Sequence, residues 1–191
     1  TPEETGQLFA SINGTTIKDY RDRAILGDLF YAWVRVTAVV KMTVGDFYKI
    51  GERYSFRFYE KGGKTASIPA HHQASDYLLA YLTVAGIDRE DKAQKKDPLF
   101  RTINRQRKLS DERIDRTAIF RMVRDRAKAA GISTEITPHS GRGTGITAYL
   151  ESGGKLETAQ KIAMHADSRT TKIYDRRNQR IERADIERVQ Y

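Results

Sequence analysis

Pro138-His139-Ser140-Gly141-Arg142-Gly143-Thr144 places a histidine and an arginine three residues apart at the start of a helix, so both side chains leave one face. Twenty-three residues after Arg142 comes Met164-His165, and nine further on stands Tyr174, in Thr170-Thr171-Lys172-Ile173-Tyr174. Upstream, Arg35 ends the apolar run Phe30-Tyr31-Ala32-Trp33-Val34. Taken one at a time these residues have ordinary readings. An arginine after an apolar helix is usually a solvated end, and a tyrosine in a basic stretch usually packs. His139 would serve as an N-cap or core group, and His165 as a surface residue. Their joint occurrence, in this order and at these spacings, carries more weight than any one of them.

Outward from this stretch the chain reads as mainly α. Apolar residues recur at helical spacing at Leu8, Phe9 and Ile12 and again at Tyr20, Ala24, Ile25, Leu29 and Phe30, which predicts two opening helices. From Phe47 to Glu60 the composition turns β-rich, with Tyr54, Phe56 and Phe58 alternating with Ser55, Arg57 and Tyr59. Gly62-Gly63 then turns the chain into Thr65-Ala66-Ser67-Ile68-Pro69, a hairpin pattern. Helical periodicity returns around Asp76 to Val84, at Ile114 to Val123 and from Ser140 to Glu151. Asp88 to Asp111 is polar and basic with Pro98 inside it, which predicts a long loop interrupted by a short extended piece at Leu99 and Phe100. The expected class is α+β, mainly α with a small antiparallel sheet, in one domain spanning residues 1–191.

Composition narrows the function classes. The 191 residues hold no cysteine, which excludes a disulfide scaffold or a cysteine-ligated zinc module, and no apolar run approaches the ~18 residues that span a bilayer. No secretory signal is present, so a cytoplasmic location is expected. The formal net charge is +9, and Arg101, Arg105, Arg107, Lys108, Arg113, Arg116, Arg121, Arg124, Arg126 and Lys128 crowd one stretch, a balance that attracts polyanions. The chain opens on Thr1-Pro2-Glu3-Glu4, a helix start with Thr as N-cap, and is expected to begin at a domain boundary inside a longer protein.

These residues and spacings resemble the tyrosine recombinase (phage integrase) family over essentially the whole chain. The resemblance implies the catalytic-domain fold of that family, and site residues Arg35, Lys61 or Lys64 on the hairpin, His139 with Arg142, His165, and Tyr174 as nucleophile. Lys61 is preferred because the family's lysine lies eight residues before the proline of the following strand, here Pro69; Lys64 is the second choice. It also implies double-stranded DNA as partner, and self-association as a tetramer on paired sites, with the isolated domain a monomer. An N-terminal DNA-binding domain, absent from this chain, would complete a clamp around the duplex. The tail 178–191, carrying Ile181, Ala184, Ile186 and Val189, would dock on a neighbouring subunit.

The chemistry fits those residue types. A phosphodiester under attack gathers charge on its non-bridging oxygens, and two guanidiniums, Arg35 and Arg142, clamp it with forked donors. A phenol with a pKa of about 10 is ionised in roughly one molecule in a thousand at pH 7, worth about 4 kcal/mol that the site must offset. His139 is the expected proton acceptor from Tyr174, His165 a donor to a phosphate oxygen, and the hairpin lysine the acid for the leaving 5′ oxygen. No cofactor or metal is expected.

Three places depart from the family pattern: Ala38 stands where an acidic residue is usual, Gly141 and Gly143 flank the second arginine in place of leucine and histidine, and Met164 replaces a glycine. These departures leave a DNA-binding module with reduced catalysis as one rival reading; a type IB topoisomerase, which resembles the family in chemistry and site residues, is the other. Gly141-x-Gly143-x-Gly145 is mis-spaced for a dinucleotide fingerprint, and its expected role is close packing or approach to the DNA backbone. His71-His72 lacks a third metal ligand, and Ser140 lacks a nucleophile elbow.

Overall fold

The computed structural model describes residues 1–59, 65–165 and 168–175. The hairpin tip that carries Lys61 and Lys64, and the tail 178–191, lie outside the described residues. As expected from the sequence, helices dominate and the strands are short and antiparallel. The elements run α1 (Pro2–Ala10), α2 (Ile17–Tyr31), α3 (Val36–Lys41), β1 (Phe47–Ile50), β2 (Arg53–Tyr59), β3 (Thr65–Pro69), α4 (His72–Ala85), β4 (Arg101–Ile103), β5 (Leu109–Arg113), α5 (Arg116–Ala129), α6 (Pro138–Glu151), α7 (Leu156–Ile162) and α8 (Ser168–Lys172).

The central element is α2. Thr16 and Asp19 close a capping box at its start, satisfying two backbone donors that the helix itself leaves open. Ala24, Ile25, Leu26 and Leu29 are fully buried, and α2 packs against both α4 and α6. A charged lock joins it to α5. The Asp22 carboxylate, with no solvent exposure, accepts from Arg21 Nη2 at 2.8 Å and from Arg126 Nε at 3.0 Å, while Arg126 Nη2 also reaches Asp19 at 2.7 Å. Every charge in this network has an opposite partner, the condition under which buried ions are tolerated. The lock fixes α5 relative to α2.

Asp28, also on α2, has no such partner. It is fully buried, both carboxyl oxygens lack a hydrogen bond among the described residues, and burial raises its pKa well above the ordinary carboxylate value. In the fold it stays protonated where the unfolded chain would be ionised. The unfolded state therefore binds fewer protons above pH ~4, and stability falls with rising pH by up to about 1.4 kcal/mol per unit. Asp28→Asn removes that ionisation at nearly constant shape. The variant is expected to melt higher than the parent at pH 8 and to show a smaller difference at pH 4; equal differences at both would refute the assignment.

The sheet is a meander of order β1-β2-β3, pairing Phe47 with Phe56 and Phe56 with Ile68. Gly51, at φ 59°, makes the β1–β2 turn, so the β-rich run from Phe47 is two strands rather than one arm of a single hairpin. The loop expected over Asp88 to Asp111 also contains more structure than its composition suggests. Leu99 and Phe100 are buried, Leu99 N donates to Met42 O, and β4 then pairs with β5 as a second hairpin. Asn104 makes its turn, exchanging backbone bonds with Arg107 and Lys108 while its side chain accepts from Lys108 N. A hairpin built from polar residues gives no alternation of apolar and polar side chains, which is why periodicity passes over it.

Candidate active site

Four segments bring the site together. Arg35 is the N-cap of α3 and sits half-buried where the chain leaves α2. His139 and Arg142 lie in the first turns of α6, which Thr137 and Ser140 open with reciprocal capping bonds. Arg35, His139 and Arg142 line one cavity of about 320 Å³, together with Arg116 and Phe120 of α5. Arg116 stacks its guanidinium 5.2 Å from the Phe120 ring centre, so a further cation faces the same space.

Arg142 is almost wholly buried at 2% exposure and is held from two sides. Its Nη1 donates to Trp33 O at 2.5 Å and its Nη2 to Ala163 O. One guanidinium therefore ties the turn leading to Arg35 to the turn leading to His165. Its planar fork suits two separated acceptors as a lysine would not.

His165 is buried at the back of the site, with Nδ1 2.9 Å from Thr171 Oγ1. Burial, and after it the positive charges of Arg142 and Arg35, push its pKa down to about 4, so the imidazole is neutral at pH 7. With the Thr171 hydroxyl as donor to Nδ1, the neutral ring carries its proton on Nε2, ready to donate; with Nδ1–H as donor to Thr171, Nε2 is an acceptor.

Tyr174 follows α8 and lies along α6. Its hydroxyl is 3.5 Å from His139 Nε2, its backbone carbonyl accepts from Thr147 Oγ1 at 3.4 Å, and its ring stacks near that of His165 with centroids 6.3 Å apart. A Cβ built on Gly143 would come within 3.3 Å of the Tyr174 ring. His139, Gly143 and Thr147 are four residues apart and form a single stripe beneath the tyrosine. Tyr174 lines a neighbouring groove of about 400 Å³, and the His139 contact joins the tyrosine to the arginine cavity.

The structure thus brings Arg35, His139 and Arg142 onto one cavity, with Tyr174 beside it through His139 and His165 behind the Tyr174 ring. Lys61 and Lys64 are outside the described residues. Sequence reasoning missed Thr171, Thr147 and Phe120, which give no motif signal of their own. Local packing accounts for Ala38 and Gly141 and does not account for Met164. Ala38 is buried in the apolar core, where an acid would need a partner. A Cβ on Gly141 would come 2.7 Å from the Phe30 ring, leaving no room for leucine. Met164 adopts φ 51°, the left-handed region that glycine enters without cost, so the methionine is strained directly beside His165.

The same geometry sorts the cations of the basic stretch. Arg101 pairs with Asp97 and Asp111, Arg113 donates to Val40 O and Met42 O, and Arg126 belongs to the α2 lock. Arg121, Arg124 and Lys128 instead stand exposed along a groove of about 410 Å³ on α5 that shares Phe120 with the arginine cavity.

Comparison with known proteins agrees with this geometry. The chain belongs to the phage integrase family, whose sequence profile matches residues 1–180. Among its curated relatives, tyrosine recombinase XerD of Listeria innocua is 29% identical over 90% of this chain and 55% of its own length. XerD of Halalkalibacterium halodurans is 31% identical over 91% of this chain and likewise 55% of its own. The chain spans about half the length of these relatives. The crystal structure of XerA recombinase superposes with a TM-score of 0.73 at 26% identity, covering 100% of this chain and 64% of that one. Among the described residues no helix is long and apolar enough to cross a membrane.

Proposed function

We propose that the chain is the catalytic domain of a site-specific DNA recombinase, acting in the cytoplasm, that cuts and rejoins DNA through Tyr174. The observation that carries this reading is the gathering of Arg35, His139 and Arg142 on one cavity with the Tyr174 hydroxyl at its rim, 3.5 Å from His139 Nε2. His139 takes the phenolic proton as the Tyr174 oxygen attacks phosphorus. Arg35, Arg142 and His165 Nε2–H hold the non-bridging oxygens as charge builds on them. The P–O5′ bond breaks, its oxygen taking a proton from Lys61, with Lys64 as the second choice. The products are a 3′-phosphotyrosyl bond and a free 5′ hydroxyl. One phosphoester has replaced another, so the reverse attack rejoins the strand without ATP.

Double-stranded DNA is the substrate, and assembly into a tetramer on paired sites is the working form, with the isolated domain monomeric. The XerD relatives favour this over a single-subunit topoisomerase. The test is to incubate the protein with a nicked duplex from which the cleaved piece diffuses away. A stable protein–DNA adduct at Tyr174 is expected; no adduct on any duplex would overturn the reading.

The sorting of cations predicts the salt dependence. With Arg101, Arg113 and Arg126 committed inside the fold, seven cations of the stretch remain for phosphates, which limits their joint slope of log affinity against log salt to about −6. Arg124→Ala should weaken DNA binding and reduce that slope by about one. Arg126→Ala should leave the slope unchanged and lower the melting temperature. The opposite pattern in the two variants would show that the cations have been sorted wrongly.

A further inference from the structure

Trp33 is an unusual residue for its place. It sits between α2 and α3 at φ 53°, a conformation that a bulky side chain rarely adopts, two residues before Arg35. Its side chain is nonetheless buried, at 6% exposure, in a small apolar cluster with Ile146 and Leu150 of α6 and Ala159 and Ala163 of the α7 segment. The indole lies against α6 at Gly145, where a Cβ would fall 2.0 Å from Trp33 Nε1 and 2.8 Å from Phe30 O. Tyr149, one turn along α6, meets the indole edge-on at 5.4 Å. The carbonyl of Trp33 itself accepts from Arg142 Nη1.

The second acceptor of Arg142 is built alike. Ala163 ends α7, and the next residue, Met164, is again left-handed, at φ 51°. Of the three non-glycine residues with positive φ among those described, two therefore adjoin the carbonyls that hold Arg142, and the third, Arg107, lies in the β4–β5 turn. Strained backbone persists only where its surroundings over-determine it. For Trp33 the surroundings are visible: the indole fits the gap left by the missing side chain at Gly145.

We infer that Trp33 is a positioning residue for the Arg142 guanidinium, and that its fit against Gly145 holds the strained turn in register. Locked against α6, residue 33 keeps its carbonyl on Arg142 and fixes where the chain delivers Arg35. Both phosphate-binding arginines are thereby set by one indole. The inference rests on the recombinase reading above and adds to it a residue that lies outside the arginine cavity, in the apolar cluster against which Tyr174 also packs. A displacement of about 1 Å in such a clamp costs on the order of a hundredfold in rate.

The experiment is a cycle on the full chain. Trp33→Gly keeps the left-handed turn accessible and removes the wedge; Gly145→Ala drives a methyl into the indole; the double variant has the methyl and no indole. Single-turnover adduct formation at saturating nicked DNA is measured beside DNA affinity and melting temperature. Each single variant is expected to form adduct at least tenfold more slowly with affinity within about threefold of the parent. Gly145→Ala should cost less once residue 33 is glycine than it does in the parent, the remaining loss coming from the 2.8 Å approach of the methyl to Phe30 O. Trp33→Phe, which refills most of the gap, should recover part of the rate. Parent-like rates in Trp33→Gly, losses that only track the folded fraction, or fully additive losses in the double variant would each overturn the inference. If the parent itself gives no adduct, the recombinase reading fails instead.

Discussion

Tyr174→Phe is expected to abolish the covalent adduct while leaving DNA affinity and melting temperature unchanged. The change removes one oxygen, and that oxygen's recorded partner is His139 Nε2 at 3.5 Å, on an exposed ring at the helix surface. Losing so long a contact between accessible groups costs little stability. The features that seat the tyrosine are untouched, because Gly143 meets the ring, Thr147 meets the backbone carbonyl, and His165 faces the ring plane. Binding should persist because the exposed cations of α5 do not depend on the hydroxyl. Gel separation of adduct from free protein, with affinity measured on the same duplex, gives both numbers. Adduct at the parent's yield from the phenylalanine variant would place the nucleophile on another residue.

How much of this was legible in the sequence depended on whether a periodicity or a fixed spacing was present. Helix α2 repeats apolar residues at three and four, so its place in the core could be read directly. His139 and Arg142 share a face because three residues make nearly one helical turn. The β4–β5 hairpin was read as a loop because Asn104 and backbone bonds hold it, and its side chains alternate in neither charge nor polarity. Nor does sequence announce a left-handed tryptophan or methionine. Glycine at positions 33 and 164 would have signalled the two turns, whereas Trp33 and Met164 look like core residues until their φ angles are known. Thr171 escaped for a similar reason, since a threonine three residues before a tyrosine has no meaning until His165 is found beside it. The sequence reads Gly141, Gly143 and Gly145 as sites of close packing or of approach to the DNA backbone, and only the structure shows that they face Phe30, Tyr174 and Trp33 respectively.

The two arginines should fail in different ways, although both are proposed to hold the same phosphate. Arg142→Ala removes a donor from the developing charge, a loss on the order of 10²–10³ in rate by itself. It also leaves the carbonyls of Trp33 and Ala163 without their guanidinium, each uncompensated buried acceptor costing about 1–3 kcal/mol, and it opens a void at a residue 2% exposed. The melting temperature should therefore fall together with the rate. Arg142→Lys keeps the charge but offers no fork to span both carbonyls, so it should recover stability in part and cleavage much less. Arg35→Ala removes a half-buried side chain at the N-cap of α3, whose cap makes no side-chain hydrogen bond to the helix. Its rate loss should match that of Arg142→Ala to within about tenfold, with a far smaller change in melting temperature. Single-turnover cleavage at saturating DNA, paired with thermal unfolding, separates the two patterns. If Arg142→Lys cleaved as fast as the parent, positive charge alone would suffice at that position, and the two-carbonyl clamp would be architecture rather than catalysis.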